Sequence, residues 1–259
     1  MKPSSNITFI SFSTIVSKEI TRFIRIWSQT LLPPAIIMAL YFIIFGNFVG
    51  SQLPLTQGYT YMQFIAPGLI MMAVITNAYN NVVSSFFTQR FQKSVDEILV
   101  SPTPNWVILL GFSTGGILRG VLVGIIVGLI ALCFTHLHFQ HLFVTFIAAL
   151  LTSIFFSFAG FTNALFARKF DDVAIIPTFI LTPLTYLGGV FYSLNQLPPH
   201  WQTFAKLNPI IYMVDTFRYG LLGITDINVY FSLGLLFLLT CLLFFVNLYL
   251  LNKGVGLKP

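Results

Sequence analysis

Two short stretches carry residues that could do chemistry. "GFSTG", residues 111–115, has the Gly-x-Ser-x-Gly spacing of serine hydrolases, in which a sharp turn presents the serine hydroxyl to a histidine base. "HLHFQH", residues 136–141, gathers His136, His138 and His141, and imidazole is a common metal ligand. Geometry argues against the first. Ser113 starts a long apolar run that ends before His136, about 23 residues on and so roughly 35 Å away along a helix. His200 falls on that same far side. The second cluster has no carboxylate or cysteine beside it. Ser113 therefore reads as a serine among glycines in a packing helix, and the histidines as interfacial residues of a short turn. The reading assigns no catalytic residue, no metal and no cofactor bound by this chain. The sequence also lacks Gly-x-x-x-x-Gly-Lys-Ser/Thr, so it has no phosphate-cradling loop with which to hydrolyse ATP.

The elements that would hold such groups are those of a membrane protein. Of 259 residues 56% are apolar, 16% aromatic and only 8% charged, too few charges to cover a soluble globule. The net charge of +6 marks topology here and does not point to nucleic acid. Cys133 and Cys241 sit inside apolar runs, away from any disulfide framework. The first 28 residues lack the pattern of a cleaved secretory signal.

Six runs are long enough for the roughly 20 residues that cross a bilayer: 29–49, 61–83, 110–134, 142–166, 173–192 and 228–250. An even number returns the chain to its starting side. Lys2, Lys18, Arg22, Arg25, Arg90, Lys93, Arg168, Lys169, Lys253 and Lys258 then share one side, against Lys206 and Arg218 on the other. The positive-inside rule makes the first side cytoplasmic and puts both termini there.

Residues 1–28 form an amphipathic helix expected to lie on the inner leaflet, with Phe9, Phe12, Val16, Ile20, Phe23 and Trp27 on one face and Lys18, Arg22 and Arg25 opposite. Membrane lipid is thus one partner. Gly116, Gly120, Gly124 and Gly128 recur every fourth residue, a helix-packing seam whose use within one subunit or between two copies stays open. Residues 193–225 are too apolar for a loop. Pro198, Pro199 and Pro209 divide them into two short helices expected to dip into the outer leaflet, with Asp215 and Arg218 spaced to pair. Arg119 is the one charge well inside a run and either serves function or snorkels. The acidic residues all fall outside or at the edges of the runs, which argues against ion-driven transport.

"RFQKSVDEILVSPTPNW", residues 90–106, is a charged island between two of the runs. It predicts a helix with Phe91, Val95, Ile98 and Leu99 on one face and Arg90, Lys93, Asp96 and Glu97 on the other, Lys93 and Glu97 spaced to pair, ended by Pro102 and Pro104. Such a peg suits a groove in a partner protein. With "KEITRFIR" (18–25), "YMQFIAPGLIMMAVITNAYNNVVSSFF" (61–87), "VDEILVSPTP" (95–104), "FDDVAIIPTFILTPLTYLGGVFYSLNQLPP" (170–199) and "LNPIIYMVDTFRYGLLG" (207–223), the chain resembles the permease subunits of type-2 ABC transporters, especially the bacterial inner-membrane permeases of the YadH-like kind.

The resemblance implies an all-α domain of six transmembrane helices over 29–250, preceded by the interfacial helix and followed by a cytoplasmic tail, 251–259. It implies a second copy of the permease and a separate cytosolic ABC ATPase that binds ATP and magnesium. Residues 90–104 match the coupling helix seated in that ATPase, so Phe91, Val95, Asp96, Glu97, Ile98 and Leu99 would meet it, with Glu19 and Arg22 contributing. Asn208, Pro209 and Arg218 match the re-entrant helices that close the outer end of the path. A path lined by Phe, Tyr, Leu and Gly with almost no fixed charge favours an amphiphilic or lipid-linked cargo. Two other readings are a scaffold that recruits a partner and transports nothing, and an intramembrane hydrolase built on Ser113. In the exporter reading, Leu99→Glu is expected to uncouple transport and leave membrane insertion intact.

Overall fold

A computed structural model of the chain describes residues 5–52, 55, 58–137 and 139–256. Lys2, His138 and Lys258 lie outside the described residues. Among these residues the chain is helical throughout. Helix α1 (Ser5–Arg25) breaks at Ile26 into α2 (Trp27–Thr30) and α3 (Leu32–Tyr41), which widens into a π-helical stretch at Phe42–Val49. There follow α4 (Tyr61–Phe91), α5 (Ser94–Val100), α6 (Asn105–Phe134) and α7 (Leu142–Phe166). Then come α8 (Phe170–Ile176), α9 (Thr182–Tyr186), α10 (Pro199–Ala205), α11 (Pro209–Leu222) and α12 (Val229–Lys253).

Five helices are long and apolar enough to cross a membrane: Trp27–Gly46, Tyr61–Phe91, Asn105–Phe134, Leu142–Phe166 and Val229–Lys253. The run expected at 173–192 folds differently. It is α8, a π-helical turn at Pro177–Leu181 and α9, of seven, five and five residues, about 25 Å in all at the usual rise. Pro183 has no backbone N–H for the Phe179 carbonyl, and the Pro177 carbonyl takes the N–H of Thr182, five residues on, and at 2.8 Å its hydroxyl. The helix then stops at Tyr186, before the left-handed Gly189.

The ends of the long helices are written in the sequence. Thr60 and Gln63 form a reciprocal capping box at the start of α4. The Asn208 side chain accepts from the Ile210 N–H and is followed by Pro209 at the first helical position of α11. Asn228 caps α12 in the same way, through the Tyr230 and Phe231 N–H groups. Gly223 and Gly254 end α11 and α12 with φ of 75° and 68°, a left-handed backbone that glycine adopts without strain.

Helix α4 is the central element. In its apolar window 72% of residues are buried, against 17% to 39% in the other four spans. It packs on α6 and α7, with α11 against its first half. The glycine seam on α6 is used inside the subunit. A Cβ at Gly116 would sit 2.4 Å from Val82 Cγ2, at Gly120 2.9 Å from Ala78 Cβ, and at Gly124 2.6 Å from Val74 Cγ2. Gly128 drops out of the seam, since the nearest atom its Cβ would meet is Ile70 Cδ1 at 3.9 Å. Gly111 and Gly115, on a neighbouring strip of α6, instead make room for Ile15 and Glu19 of α1.

This packing predicts opposite outcomes for two substitutions on one helix. Gly120→Val forces α4 and α6 apart and should destabilise by about 1–3 kcal/mol, visible as a lower unfolding temperature in detergent. Gly128→Ala should leave that temperature unchanged.

Candidate functional site

One face of α4 carries Asn77, Asn81, Ser85 and Gln89, four polar residues at four-residue spacing and all buried. A buried polar group in a membrane must find a partner, and each of these meets a charged side chain. Glu19 of α1, completely buried, accepts from the Ser85 hydroxyl at 2.6 Å and the Gln89 amide at 3.2 Å. Arg22 pairs with Glu19 at 3.1 Å and donates to Asn81 Oδ1 at 2.8 Å. Lys18 donates to Gln89 Oε1 at 3.0 Å. Farther along, Arg119 of α6 donates to Asn77 Oδ1 at 3.1 Å and to the Thr30 carbonyl at 3.2 Å. Arg119 thus bonds within the protein rather than reaching for water.

The ladder corrects two expectations about α1. Its inward line is Ile15, Glu19 and Phe23, with Trp27 exposed, so the protein and not the leaflet takes the face that Glu19 occupies. Glu19, expected to meet the ATPase, is completely buried within the chain. The polar stripe on α4 was visible in the sequence as a four-residue repeat within an apolar run, and sequence reasoning passed over it.

Residues 90–106 also differ from the expected single helix. Helix α4 ends at Phe91, Lys93 takes a left-handed backbone with φ of 60°, and α5 covers only Ser94–Val100. Arg90 stays with α4 and donates to the Leu165 and Ala167 carbonyls at the end of α7. Lys93 precedes α5, and among the described residues no ion pair joins it to Glu97. Val95 is fully buried, and Ile98 and Leu99 pack on the same cluster with Phe12 of α1. The apolar face of the peg is therefore spent on the chain's own body. What faces outward is Asp96, Glu97, Val100 at 89% exposure and Phe91 at 58%. Leu99→Glu would thus disturb the fold as well as a partner. The turn after α5 is stitched to α1, with Ser101 bonded to Thr103 at 2.7 Å and the Thr103 hydroxyl donating to Ser11 at 3.2 Å.

At the opposite end Asp215 and Arg218 do not pair with each other. Asp215 accepts from the Thr225 hydroxyl at 2.6 Å and the Asp226 and Ile227 N–H groups at 3.0 Å. Burial pushes its carboxyl up from the usual carboxylate range, and these donors work against the rise. Arg218 donates to the Gly189 carbonyl at 2.5 Å and lies 4.0 Å from the centre of the Phe64 ring. Asn208 donates to the Leu184 carbonyl at 2.7 Å. Helix α11 thus captures the loops on both sides of it through side chains to backbone.

Between Phe64 and Gln89 the residues of α4 that are not buried form one strip: Met72, Thr76, Asn80, Ser84 and Thr88. Its first four residues face Thr178, Thr182 and Thr185 across a groove of about 430 Å³. The groove sets hydroxyls and the Asn80 amide among the apolar Met72, Val173, Ala174, Pro177 and Leu181, and no charged residue lines it. The hydrolase reading fails here, because Ser113 is fully buried and its hydroxyl has no hydrogen-bond partner. His136 is exposed, and His141 stacks on Tyr219 with ring centres 4.7 Å apart.

A helical membrane domain with a docked amphipathic helix and a short helix between its second and third spans defines a class. Residues 10–222 match the ABC-2 type transporter family model, and the chain belongs to that family as a membrane permease subunit. It is 49% identical over 250 residues, 96% of this chain and 98% of the relative, to the inner membrane transport permease YadH of Escherichia coli. More distantly it is similar to Nodulation protein J, at 23% identity in Rhizobium leguminosarum bv. viciae, covering 80% of this chain and 81% of the relative. The Nodulation protein J of Rhizobium meliloti is 22% identical over 80% of each chain.

Removing the central carboxylate tests the ladder. Glu19→Ala leaves Ser85 and Gln89 buried without their acceptor and should cost about 1–3 kcal/mol. Backbone amides of α1 should then exchange hydrogen faster than those of α7, which keeps its own contacts.

Proposed function

We propose that this chain is the permease of an ATP-driven exporter in the bacterial inner membrane, working as a pair of identical copies driven by a separate cytosolic ATPase that holds ATP and magnesium. In this reading the segment from Phe170 to Tyr186 is the sixth span, at the short end of the length range for helices that cross a bilayer. Both termini then lie in the cytosol with Arg90, Arg168 and Lys253. The corner between α4 and α5 docks on the ATPase through Phe91 at the end of α4 and Asp96, Glu97 and Val100 of α5. Val95, Ile98 and Leu99 fix α5 to the body, while Glu19 and Arg22 fix α1 to α4. Closure of the two ATPase subunits pushes α5, and α4 follows as a rigid element.

The groove between α4 and the α8–α9 segment is the subunit's half of the path. Its hydroxyls and amide, set among apolar surroundings, suit an amphiphile whose polar part hydrogen-bonds and carries little need for a counter-charge. Asn208, Pro209, Asp215 and Arg218 hold the outer end shut. The observation that carries the reading is α5. It exposes two carboxylates and an aliphatic side chain beside α1, in a chain of this family that has no phosphate-cradling loop of its own.

Val100→Glu tests it. Val100 is almost wholly exposed, so the variant should insert and unfold as the parent does. Tagged parent chain purified from its native membrane in mild detergent should bring a P-loop ATPase in equal amount, and the variant should not. Equal recovery of the ATPase with both would remove α5 from the docking surface, and recovery of none with the parent would remove the exporter reading.

A further inference from the structure

A second groove opens on the other side of the molecule, between α6 and α7, and the reading above does not use it. It encloses about 740 Å³ and is lined almost wholly by apolar side chains, a volume in the range of pockets that hold small ligands. Ile70 and Val74 of α4 and Phe217 and Leu221 of α11 form the floor, with α6 on one side and α7 on the other. Gly124 and Gly128 of α6 line the groove without side chains, Gly124 packed against Val74 and Gly128 with only Ile70 Cδ1 near, 3.9 Å from where its Cβ would be. Ile125, Leu129, Phe143 and Phe146 stand exposed along its edges.

Length, width and rim together define what fits. From Val121 to Leu132 the groove follows α6 for about 16 Å, and one leaflet of hydrocarbon is about half of 30 Å. A second helix, about 10 Å across with its side chains, would meet the exposed Ile125, Leu129, Phe143 and Phe146 before it reached Ile70 and Phe217 on the floor. A single flexible chain reaches it. Leu137, Phe139 and Leu142 close the groove at the end away from α5, and the turn they belong to carries His136, Gln140 and His141, all exposed. Those side chains offer hydrogen-bond donors where a phosphate and ester would lie. His141 is held in place there by its stack on Tyr219 and by its N–H bond to the Gly220 carbonyl at 2.8 Å.

We infer that this groove is a binding site for one acyl chain of a bilayer phospholipid, in the leaflet opposite α5, with its head group beside His136, Gln140 and His141. The site is separate from the α4 groove and does not depend on the identity of the cargo. The bound chain fills the space that Gly128 leaves beside Ile70.

The test uses the full-length protein in vesicles of phosphatidylethanolamine and phosphatidylglycerol containing a phosphatidylethanolamine with a photoreactive diazirine in one acyl chain. Labelled peptides are read by mass spectrometry. A diazirine near the ester should label residues around Leu132 and Phe139, and one at the chain end should label residues around Val121 and Ile125, each well above the labelling of exposed residues on α12. Gly128→Leu places a side chain in the groove where the nearest atom a Cβ would meet is Ile70 Cδ1 at 3.9 Å, and it should cut the groove labelling about tenfold with α12 labelling unchanged. Leu129→Trp, which narrows the groove from its exposed rim, gives the same readout if Gly128→Leu does not fold. Labelling of α6 and α7 no greater than that of α12, or undiminished in the folded variant, would overturn the site.

Discussion

A carboxylate buried in a membrane protein is tolerated only where charge and hydrogen bonds surround it, and Glu19 sets that condition for this fold. Its partners come from α1 itself, through Arg22, and from α4, through Ser85 and Gln89. The contact needs α6 to come close, which is why Gly115 stands where any Cβ would be 2.7 Å from the Glu19 Cβ. An amphipathic helix that could have floated on lipid is thereby fixed to the most buried helix of the domain. Leaving the site would expose a charge to hydrocarbon or strand Ser85 and Gln89, so α1 and α4 hold together or separate at a cost.

From that contact follows a mechanical arrangement. Helix α5 leans on α1 through Phe12 and through the Thr103–Ser11 bond, and the last residues of α4 lead into α5 across the left-handed Lys93. On its opposite strip α4 carries the hydroxyl and amide lining of a groove. Toward the other end, α11 anchors the adjacent loops by bonds to the Gly189 carbonyl and to the Asp226 and Ile227 N–H groups. In the proposed function one helix thus joins the docking surface at α5 with the groove that takes the substrate. Glycines on α6 let it be gripped tightly on the sides where nothing has to pass.

The class of protein and most of its spans were legible from apolar run lengths, because bilayer thickness fixes them. Helix ends were legible where a side chain does the capping, as at Thr60, Asn208 and Asn228. What could not be read was which face of a helix meets which neighbour. Periodicity assigned α1 to lipid through Phe9, Phe12 and Val16, yet a single glutamate turned Ile15 and Phe23 inward. It paired Asp215 with Arg218 on spacing alone, whereas backbone groups of adjacent loops compete better for both. It gave the peg at 90–104 an apolar docking face that the fold uses for itself. Gly128 kept the seam's spacing and still missed it, since no residue of α4 comes close enough to fill the notch.

The central claim is that α5 and α4 move as one body. The most direct measurement attaches a spin label to a single cysteine at Ser94, the first residue of α5 and not one of its docking residues, or at Ser84, in a chain whose Cys133 and Cys241 have been replaced, and reads the distance between the two copies by pulsed electron resonance. The assembled complex is measured before and after a non-hydrolysed ATP analogue is added. The account predicts that the Ser94 and Ser84 distances change together. A shift at Ser94 with Ser84 unmoved would show that α4 does not carry the motion.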